Sequence, residues 1–236
     1  MKFVEKYSKE VDLFVKVCQR LAANLYVTGF GGNLAWKLED DLVLITPTQM
    51  NKGDITKDDV VFIDLKGNTV EGTKRPTGEK PMYLNFFNKR KDITSVIHCH
   101  PPFACAAAIM KESDVLMKPY YPETVTEVGP VPVVPYAQPL TQELADNFLP
   151  YLDKYNSFIM ENHGLVTMTT GDIKWTVMTV ELFESSVKSI LTAMAAGNLK
   201  ELSKQAVADL GNVMTERDLP LFGAPGVNSS LEDMYF

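Results

Sequence analysis

Residues 93–102 read ITSVIHCHPP, an apolar run that ends in two histidines and a pair of prolines. The stretch from Ile93 to His98 is typical of a buried strand, because it is short, apolar and rich in β-branched residues. The two prolines end this strand and open an Ala-rich helix that extends to about Met110. A buried strand that leads directly into a helix predicts a domain built from layered strands and helices.

The same alternation extends outward on both sides of this stretch. Apolar residues at spacings of three and four predict an amphipathic helix from Tyr7 to Leu25 and a long helix from Ile173 to Ala196. Between these helices we predict shorter elements: strands at 42–46, 60–65, 131–134, 157–160 and 165–168, and helices at 80–88 and 141–151. The rest of 113–140 is Pro-rich and is predicted to be irregular. This order of elements predicts one α/β domain.

Composition restricts the class of protein. Hydrophobic residues make up 45% and charged residues 22% of the 236 residues, which is the profile of a soluble globular chain. The net charge of −7 argues against a nucleic-acid partner. Three cysteines do not form a disulfide framework and suit a reducing compartment. Since we also find no signal-like start and no apolar run of membrane-spanning length, we expect a cytoplasmic protein without a membrane partner.

The three histidines of the chain are its strongest chemical signal. His98 and His100 lie two positions apart at the end of a predicted strand, so they point to one face about 7 Å apart along it. His163 lies between two further predicted strands. Three histidines that hold a divalent ion would leave its fourth position open for water or substrate. The alternative is that His98 and His100 are two hydrogen-bonded histidines beside a sheet.

Other polar residues point to the contents of a binding site. Glu79 opens a predicted helix directly after Thr77 and Gly78, where the helix N-terminus stabilises a carboxylate. It is also explained as an ordinary acid of a first turn. Thr48, Thr77 and the glycines around Asn33 are candidate anion contacts through hydroxyl and backbone N–H groups. Each of them alone is also consistent with ordinary turn chemistry.

Taken in order, these pieces resemble the class II aldolase/adducin family, which includes L-fuculose-1-phosphate aldolase and L-ribulose-5-phosphate 4-epimerase. The resemblance covers roughly residues 10–195 and rests on seven motifs: Gly32-Asn33, Ile45-Thr46-Pro47-Thr48, Lys52-Gly53-Asp54, Val61-Phe62-Ile63-Asp64, Pro76-Thr77-Gly78-Glu79, His98-Cys99-His100 and Asn162-His163-Gly164. It implies a three-layer α/β/α fold with a central, mainly antiparallel sheet.

The resemblance also implies roles for individual residues. His98, His100 and His163 correspond to the ligands of Zn²⁺, with Co²⁺ or Mn²⁺ as alternatives. Glu79 stands where the family's aldolases carry a glutamate that acts as acid/base and as an alternate ligand, and where the epimerases tend to have aspartate. Tyr121 falls where fuculose-phosphate aldolases carry a tyrosine that reaches a neighbouring subunit's site and protonates the aldehyde half. Both positions favour an aldolase.

The phosphate pocket that the resemblance implies is only partly matched. Asn33, Thr48 and Thr77 agree with the family pattern, whereas Gln49 replaces the usual glycine and Gly78 replaces the usual second serine. The glutamine side chain would narrow the pocket or add a hydrogen-bond donor. A phosphorylated ketose is therefore the expected substrate, and an unphosphorylated one is the alternative.

The implied activity is reversible retro-aldol cleavage of a ketose 1-phosphate to dihydroxyacetone phosphate and an aldehyde, through a metal-stabilised enediolate. The implied enzyme is a metal-dependent aldehyde-lyase that acts on a small sugar phosphate as a homotetramer with sites between subunits. The alternatives are a sugar-phosphate 4-epimerase, a 3-oxo-acid phosphate decarboxylase and a non-catalytic adducin-like module. We assign residues 1–220 to one domain and expect 221–236 to be a loose tail, which either covers the active site or is a frayed end.

Overall fold

A mixed eight-stranded sheet forms the centre of the computed structural model, which describes residues 2–111 and 114–236. Its strands in chain order are Asn33–Glu39 (β1), Leu42–Ile45 (β2), Val61–Ile63 (β3), Thr69–Glu71 (β4), Ser95–Cys99 (β5), Val133–Val134 (β6), Ser157–Met160 (β7) and Gly164–Thr169 (β8). The spatial order is β4-β3-β2-β1-β5-β8-β7-β6. Only the β6–β7 pair among these described strands is parallel, so the expectation of a mainly antiparallel sheet is confirmed.

Some helices cover the two faces of the sheet, and others pack on those helices. They are Phe3–Lys6 (α1), Ser8–Ala23 (α2), Lys80–Lys89 (α3), Pro102–Ala108 (α4), Pro122–Glu127 (α5), Gln142–Asn147 (α6), Ile173–Ala196 (α7), Lys204–Glu216 (α8) and Leu231–Tyr235 (α9). Buried residues of α2, α4 and α7 share one apolar core with the sheet, and those of α3 and α6 share another core on the opposite face. The predicted three-layer α/β/α architecture is therefore confirmed. No helix in the described part of the chain is long and apolar enough to cross a membrane.

Strand β5, which residues 93–98 predict, determines the face of the sheet on which the histidines lie. Ile97 and Cys99 pack in the core shared with α2, α4 and α7, whereas Val96 packs in the core shared with α3. Because side chains alternate along a strand, His98 points to the same face as Val96. That is the face where α3 begins, directly after Glu79.

Several elements differ from the sequence-based expectation, and the short strand β4 is one that was not predicted. Strand β1 was not predicted, because it lies between β2 and β5 and its residues 33–36 are all buried, so the sequence lacks a two-residue alternation. Helix α5 lies in the stretch expected to be irregular, with Pro122 as its first residue. The helix predicted to end near Tyr151 ends at Asn147 and is followed by turns.

The last sixteen residues are more ordered than the expected loose tail. They contain α9, whose Leu231 and Tyr235 are buried against residues of α5 and α8 in a small third core. Ser230 caps this helix by accepting a hydrogen bond from the Asp233 N–H. Apolar burial therefore fixes the end of the chain against the body of the fold, while the domain boundary at residue 220 stays a prediction.

Candidate metal centre

The three histidines converge at one end of the central strands. His98 lies on β5, His100 follows that strand directly, and His163 lies in the short turn between β7 and β8. Because β5 pairs with β8, which places His98 opposite Val166, the two segments are neighbours in the sheet. One ring nitrogen from each histidine lies within 4.8 Å of the other two. The sequence-based prediction that these residues form one cluster is therefore met in the geometry.

The orientation of the rings suits a divalent ion. Nδ1 of His98 donates to the Leu165 carbonyl at 3.0 Å, so Nε2 is left with its lone pair for a ligand. Nε2 of His100 lies 3.1 Å from this Nε2, close to the separation of roughly 3.3 Å between two nitrogens on a tetrahedral zinc ion. Nδ1 of His163 is buried without a hydrogen-bond partner among the described residues. These donors fit a three-histidine zinc site.

The electrostatic environment keeps the rings in the form that binds metal. Burial, with a smaller contribution from the neighbouring His163, lowers the pKa of His98 to about 3. Burial likewise lowers the pKa of His100 to about 3, with His98 adding to the shift. Burial also lowers the pKa of His163, although Glu79 opposes that shift. Near pH 7 the cluster therefore consists of neutral imidazoles, which a metal can bind without first displacing protons.

Glu79 lies against this cluster and is almost fully buried. Its Oε2 lies 3.4 Å from Nε2 of His98, and its Oε1 lies 3.7 Å from Nε2 of His163. Asn33 stands opposite His98 in the β1–β5 ladder and donates from Nδ2 to Oε2 of Glu79 at 2.6 Å. The carboxylate is thus held by an amide while its two oxygens face the histidines, which suits an acid/base or an additional ligand.

Tyr83 is a contributor that the sequence did not indicate. Its hydroxyl lies 2.6 Å from both Oδ1 and the backbone carbonyl oxygen of Asn33 and shares its one proton between them, which leaves the Asn33 N–H₂ group to face Glu79. Tyr83 is fully buried on the inner face of α3, and from the sequence alone it resembles any other core aromatic residue. The structure thus shows a chain of hydrogen bonds from Tyr83 through Asn33 to Glu79.

Two glycines leave room for the ring of His100. A Cβ atom at Gly31 would lie 2.7 Å from Nδ1 of His100, and a Cβ atom at Gly164 would lie 2.6 Å from its Cδ2. The Gly164 position is further restricted by the Cys99 carbonyl oxygen, which would lie 2.7 Å from the added atom. Any side chain at these positions would therefore push the ring or the backbone.

We expect the substitution Gly164→Ala to weaken zinc binding, because the new methyl group displaces the ring of His100. The expected loss is about 10- to 100-fold in affinity, as when a residue that orients a metal ligand is removed. The measurement is the zinc Kd by competition with a chromophoric chelator. Gly211→Ala is the matched control. Gly211 lies in α8, and its added Cβ would lie at an ordinary contact distance of 3.4 Å from Leu231. An unchanged Kd in Gly164→Ala would contradict this account of the ring.

A cavity of about 200 Å³ opens beside the histidines and Glu79. The residues predicted to bind substrate all line it: Asn33, Thr48, Gln49, Thr77 and Gly78. Gln49 has a φ of 56°, in the left-handed region that favours glycine, so it retains the backbone conformation while adding a side chain. The predicted contacts are therefore gathered in one place, and their roles toward substrate stay predictions.

Two further lining residues, Lys52 and Leu140, were not predicted. A Cβ atom at Gly78 would lie 3.0 Å from Cδ2 of Leu140, so the leucine occupies the space beside the missing serine side chain. Leu140 is 62% exposed and has a φ of 69°, which is unusual for a leucine. The cavity thus has an apolar wall where the family pattern has a hydroxyl.

The structure does not bring Tyr121 or the C-terminal tail to the histidine cluster of the same chain. Tyr121 precedes α5, is 40% exposed, and lies beside Tyr235 at a different, small cavity. Of the described residues in 221–236, none lines the cavity beside the histidines. A contribution from either would have to reach the site of another subunit, and both roles stay predictions.

Comparison with known sequences agrees with this geometry. The family model for the class II aldolase and adducin N-terminal domain matches residues 12–191. L-fuculose phosphate aldolase from Methanococcus maripaludis is 34% identical over 155 residues, which cover 66% of this chain and 82% of that protein. 3-Oxo-tetronate 4-phosphate decarboxylase from Pectobacterium atrosepticum is 28% identical over 187 residues, which cover 78% of this chain and 84% of that protein.

Solved structures show the same fold. YgbL from Klebsiella pneumoniae, described as a candidate aldolase/epimerase/decarboxylase, superposes with a TM-score of 0.80 at 25% identity, covering 86% of this chain and 98% of that one. An L-fuculose 1-phosphate aldolase superposes with a TM-score of 0.77 at 26% identity, covering 89% of this chain and 96% of that one. The architecture predicted from the sequence motifs is therefore found in solved relatives.

Proposed function

The chain belongs to the class II aldolase and adducin family, and from this premise we propose that it is a metal-dependent aldolase. The proposed reaction is reversible retro-aldol cleavage of a ketose 1-phosphate to dihydroxyacetone phosphate and an aldehyde. The observation that carries the proposal is the position of Glu79, whose carboxylate oxygens lie 3.4 Å from His98 Nε2 and 3.7 Å from His163 Nε2. An acid/base beside a three-histidine cluster is what such a cleavage requires.

Zn²⁺ is the proposed resident ion, with Co²⁺ or Mn²⁺ as substitutes, held by His98, His100 and His163. When bound, the ion supplies Lewis-acid stabilisation of the negative charge that develops as the carbon–carbon bond breaks. The protein contributes neutral imidazoles fixed by the Leu165 carbonyl and by the space at two glycines. A divalent ion held by three histidines would have a coordination position left for substrate oxygens.

Glu79 is the proposed acid/base on the ketone half of the substrate. Its burial removes competing water, and the Asn33 amide holds Oε2 in place, so the second oxygen is available to take or return a proton. Thr48, Gln49, Thr77 and Gly78 form the proposed contacts to the phosphate end.

Tyr121 is the proposed acid for the aldehyde half, acting in the site of a neighbouring subunit of a homotetramer. Its exposure and its distance from the chain's own cavity support an action between subunits. A covering role of residues 221–236 would likewise have to act on the site of a neighbouring subunit, because they do not line the cavity of their own chain. A cytoplasmic location completes the proposal, because the chain carries three free cysteines, Cys18, Cys99 and Cys105.

A second candidate is decarboxylation of a 3-oxo-acid phosphate, favoured by the similarity to 3-oxo-tetronate 4-phosphate decarboxylase over 78% of the chain. The same cluster and the same Glu79 would serve, because loss of carbon dioxide and aldol cleavage both leave negative charge beside a ketone. A 4-epimerase is less favoured, since the epimerases tend to carry aspartate where this chain has Glu79. An adducin-like module without catalysis is disfavoured by the intact histidine cluster.

The test is an aldol-direction screen of the zinc-loaded protein, in which dihydroxyacetone phosphate and unphosphorylated dihydroxyacetone are each offered with a panel of aldehydes. We expect NMR to show a new ketose 1-phosphate. EDTA should abolish its formation, and zinc, cobalt or manganese should restore it. Carbon dioxide release from 3-oxo-acid phosphates without any aldol product would favour the second candidate. Full activity in metal-free protein, or trapping of a Schiff base by borohydride, would refute the metal mechanism.

A further inference from the structure

Lys52 is a buried cation on the wall of the histidine cavity. Its side chain is only 2% exposed, and it lines the same cavity as Glu79 and Thr48. Its Nζ donates to two backbone carbonyls, those of Phe30 at 3.2 Å and Met50 at 2.9 Å. No carboxylate of the described residues lies within 4.0 Å of this nitrogen. Two carbonyls thus orient the amino group, which forms no direct ion pair. Burial lowers the pKa of Lys52, and Glu79 opposes that shift only at longer range.

A buried charge without an opposite charge is costly, and proteins seldom keep one without a counter-ion or a ligand. An ammonium group has three donors, and the two carbonyls accept two of them. The apolar wall formed by Leu140, beside a Gly78 that has no hydroxyl, leaves fewer neutral donors for an anion at this cavity. A contact between Lys52 and an anionic group of the substrate would give the lysine an opposite charge. It would also give the anion a hydrogen-bond donor.

We propose that Lys52 binds the anionic end of the substrate, a phosphate or a carboxylate group, in the cavity beside the histidines. This proposal rests on the proposed function and deepens it by assigning a charge to the substrate and a residue to that charge. Glu79 lines the same cavity, and an anionic group gains more from contact with an amino group than with a carboxyl group. The lysine then acts as a specificity-determining residue that favours charged over uncharged ketoses.

The competing explanation is that Lys52 only ties two loops together. Its two hydrogen bonds join Phe30, within the glycine-rich segment 29–32, to Met50 in the turn that carries Lys52 itself. A merely structural lysine would need no more. Loss of such a tie would lower the stability of the fold and weaken every ligand alike. Loss of an anion contact would weaken anions selectively and leave metal binding unchanged.

The experiment is calorimetric titration of inorganic phosphate and, separately, of acetate into the zinc-loaded protein. Lys52→Met removes the charge, and Lys52→Gln removes it while retaining an N–H donor for one carbonyl. Lys80→Met is the matched control, because the half-buried Lys80 also donates to a backbone carbonyl, that of Gly67, outside this cavity. Zinc content is measured for every variant, so that anion affinities are compared at equal zinc loading. An anion that binds only to the zinc ion then has the same affinity for all variants.

We expect both Lys52 variants to bind phosphate about 10- to 100-fold more weakly, as for loss of a charge-assisted hydrogen bond, and Lys80→Met to match the wild type. A Lys52-dependent affinity for acetate instead of phosphate supports the same assignment with a carboxylate substrate. Equal anion affinities in wild type and Lys52→Gln, or no anion binding by the wild type at all, overturn the proposal. If Lys52→Met does not fold, the comparison of anion affinity between Lys52→Gln and the wild type tests the proposal.

Activity separates this proposal from the proposed function. If the aldol reaction is found, Lys52→Gln should raise KM for dihydroxyacetone phosphate at least about tenfold, with a smaller change in kcat and little change for unphosphorylated dihydroxyacetone. If no aldol product forms with any aldehyde, the proposed function fails, while the calorimetric comparison still tests the anion contact on its own.

Discussion

Glu79→Gln should lower kcat for aldol cleavage about 10²- to 10⁴-fold, the usual contribution of a positioned general acid/base. The glutamine keeps the shape of the side chain and an oxygen that accepts from the Asn33 amide, so the surrounding hydrogen bonds survive. It cannot take up a proton. KM and zinc content should change far less than kcat. Steady-state kinetics of the zinc-loaded protein, with metal analysis of the same sample, is the measurement.

Glu143→Gln is the matched control for this substitution, because Glu143 is an exposed acid in the first turn of α6, away from the histidine cavity. It should retain wild-type kcat. A Glu79→Gln enzyme with kcat within about tenfold of wild type would show that the proton moves through another group. Simultaneous loss of zinc would instead show that the carboxylate acts mainly as a metal ligand.

His98→Ala should abolish stoichiometric zinc binding and lower kcat at least about 10³-fold, since Lewis-acid stabilisation contributes several kcal/mol and about 1.4 kcal/mol corresponds to a tenfold change. His98 is the most buried of the three histidines and is fixed by the Leu165 carbonyl, so its ring is the best positioned donor. The measurements are zinc per chain after dialysis and kcat at saturating substrate.

The matched control for His98→Ala is the wild-type protein stripped with EDTA. Both samples should be inactive before zinc is added, and only the wild type should recover on addition of an equivalent of zinc. Circular dichroism of both samples excludes unfolding as the cause. Recovery of His98→Ala by stoichiometric zinc would contradict the assignment of this histidine as a ligand.

The parts of the site that were predicted from sequence are those in which rare residue types occur at short, fixed spacings. His98 and His100 are two residues apart at a strand end, and His163 lies in a turn between strands, so the chemistry is visible before the fold is known. Glu79 was singled out because it precedes a helix. In each case a local pattern placed the residue, and the sheet then brought the separate segments together.

Other features depend on contacts that no local pattern records. Strand β1 was missed because it is buried on both faces, yet its register with β5 places Asn33 opposite His98. Lys52 lies within a sequence motif but does not stand out as a site residue, because an isolated lysine is normally solvated. Leu140 gains its position only through the approach of its loop to Gly78. The proposed role of Tyr121 depends on a surface between chains, which a single sequence does not describe.

The space at Gly31 has an evolutionary consequence. A side chain there would collide with the ring of His100, whereas the Thr28 carbonyl oxygen would lie at a tight 3.2 Å, so the strongest constraint against larger residues lasts only while a histidine has to occupy that space. A descendant that lost His100, and with it the metal, would be released from this constraint. Drift from glycine to alanine or serine at position 31 would then mark lineages that keep the fold as a scaffold after their chemistry is gone.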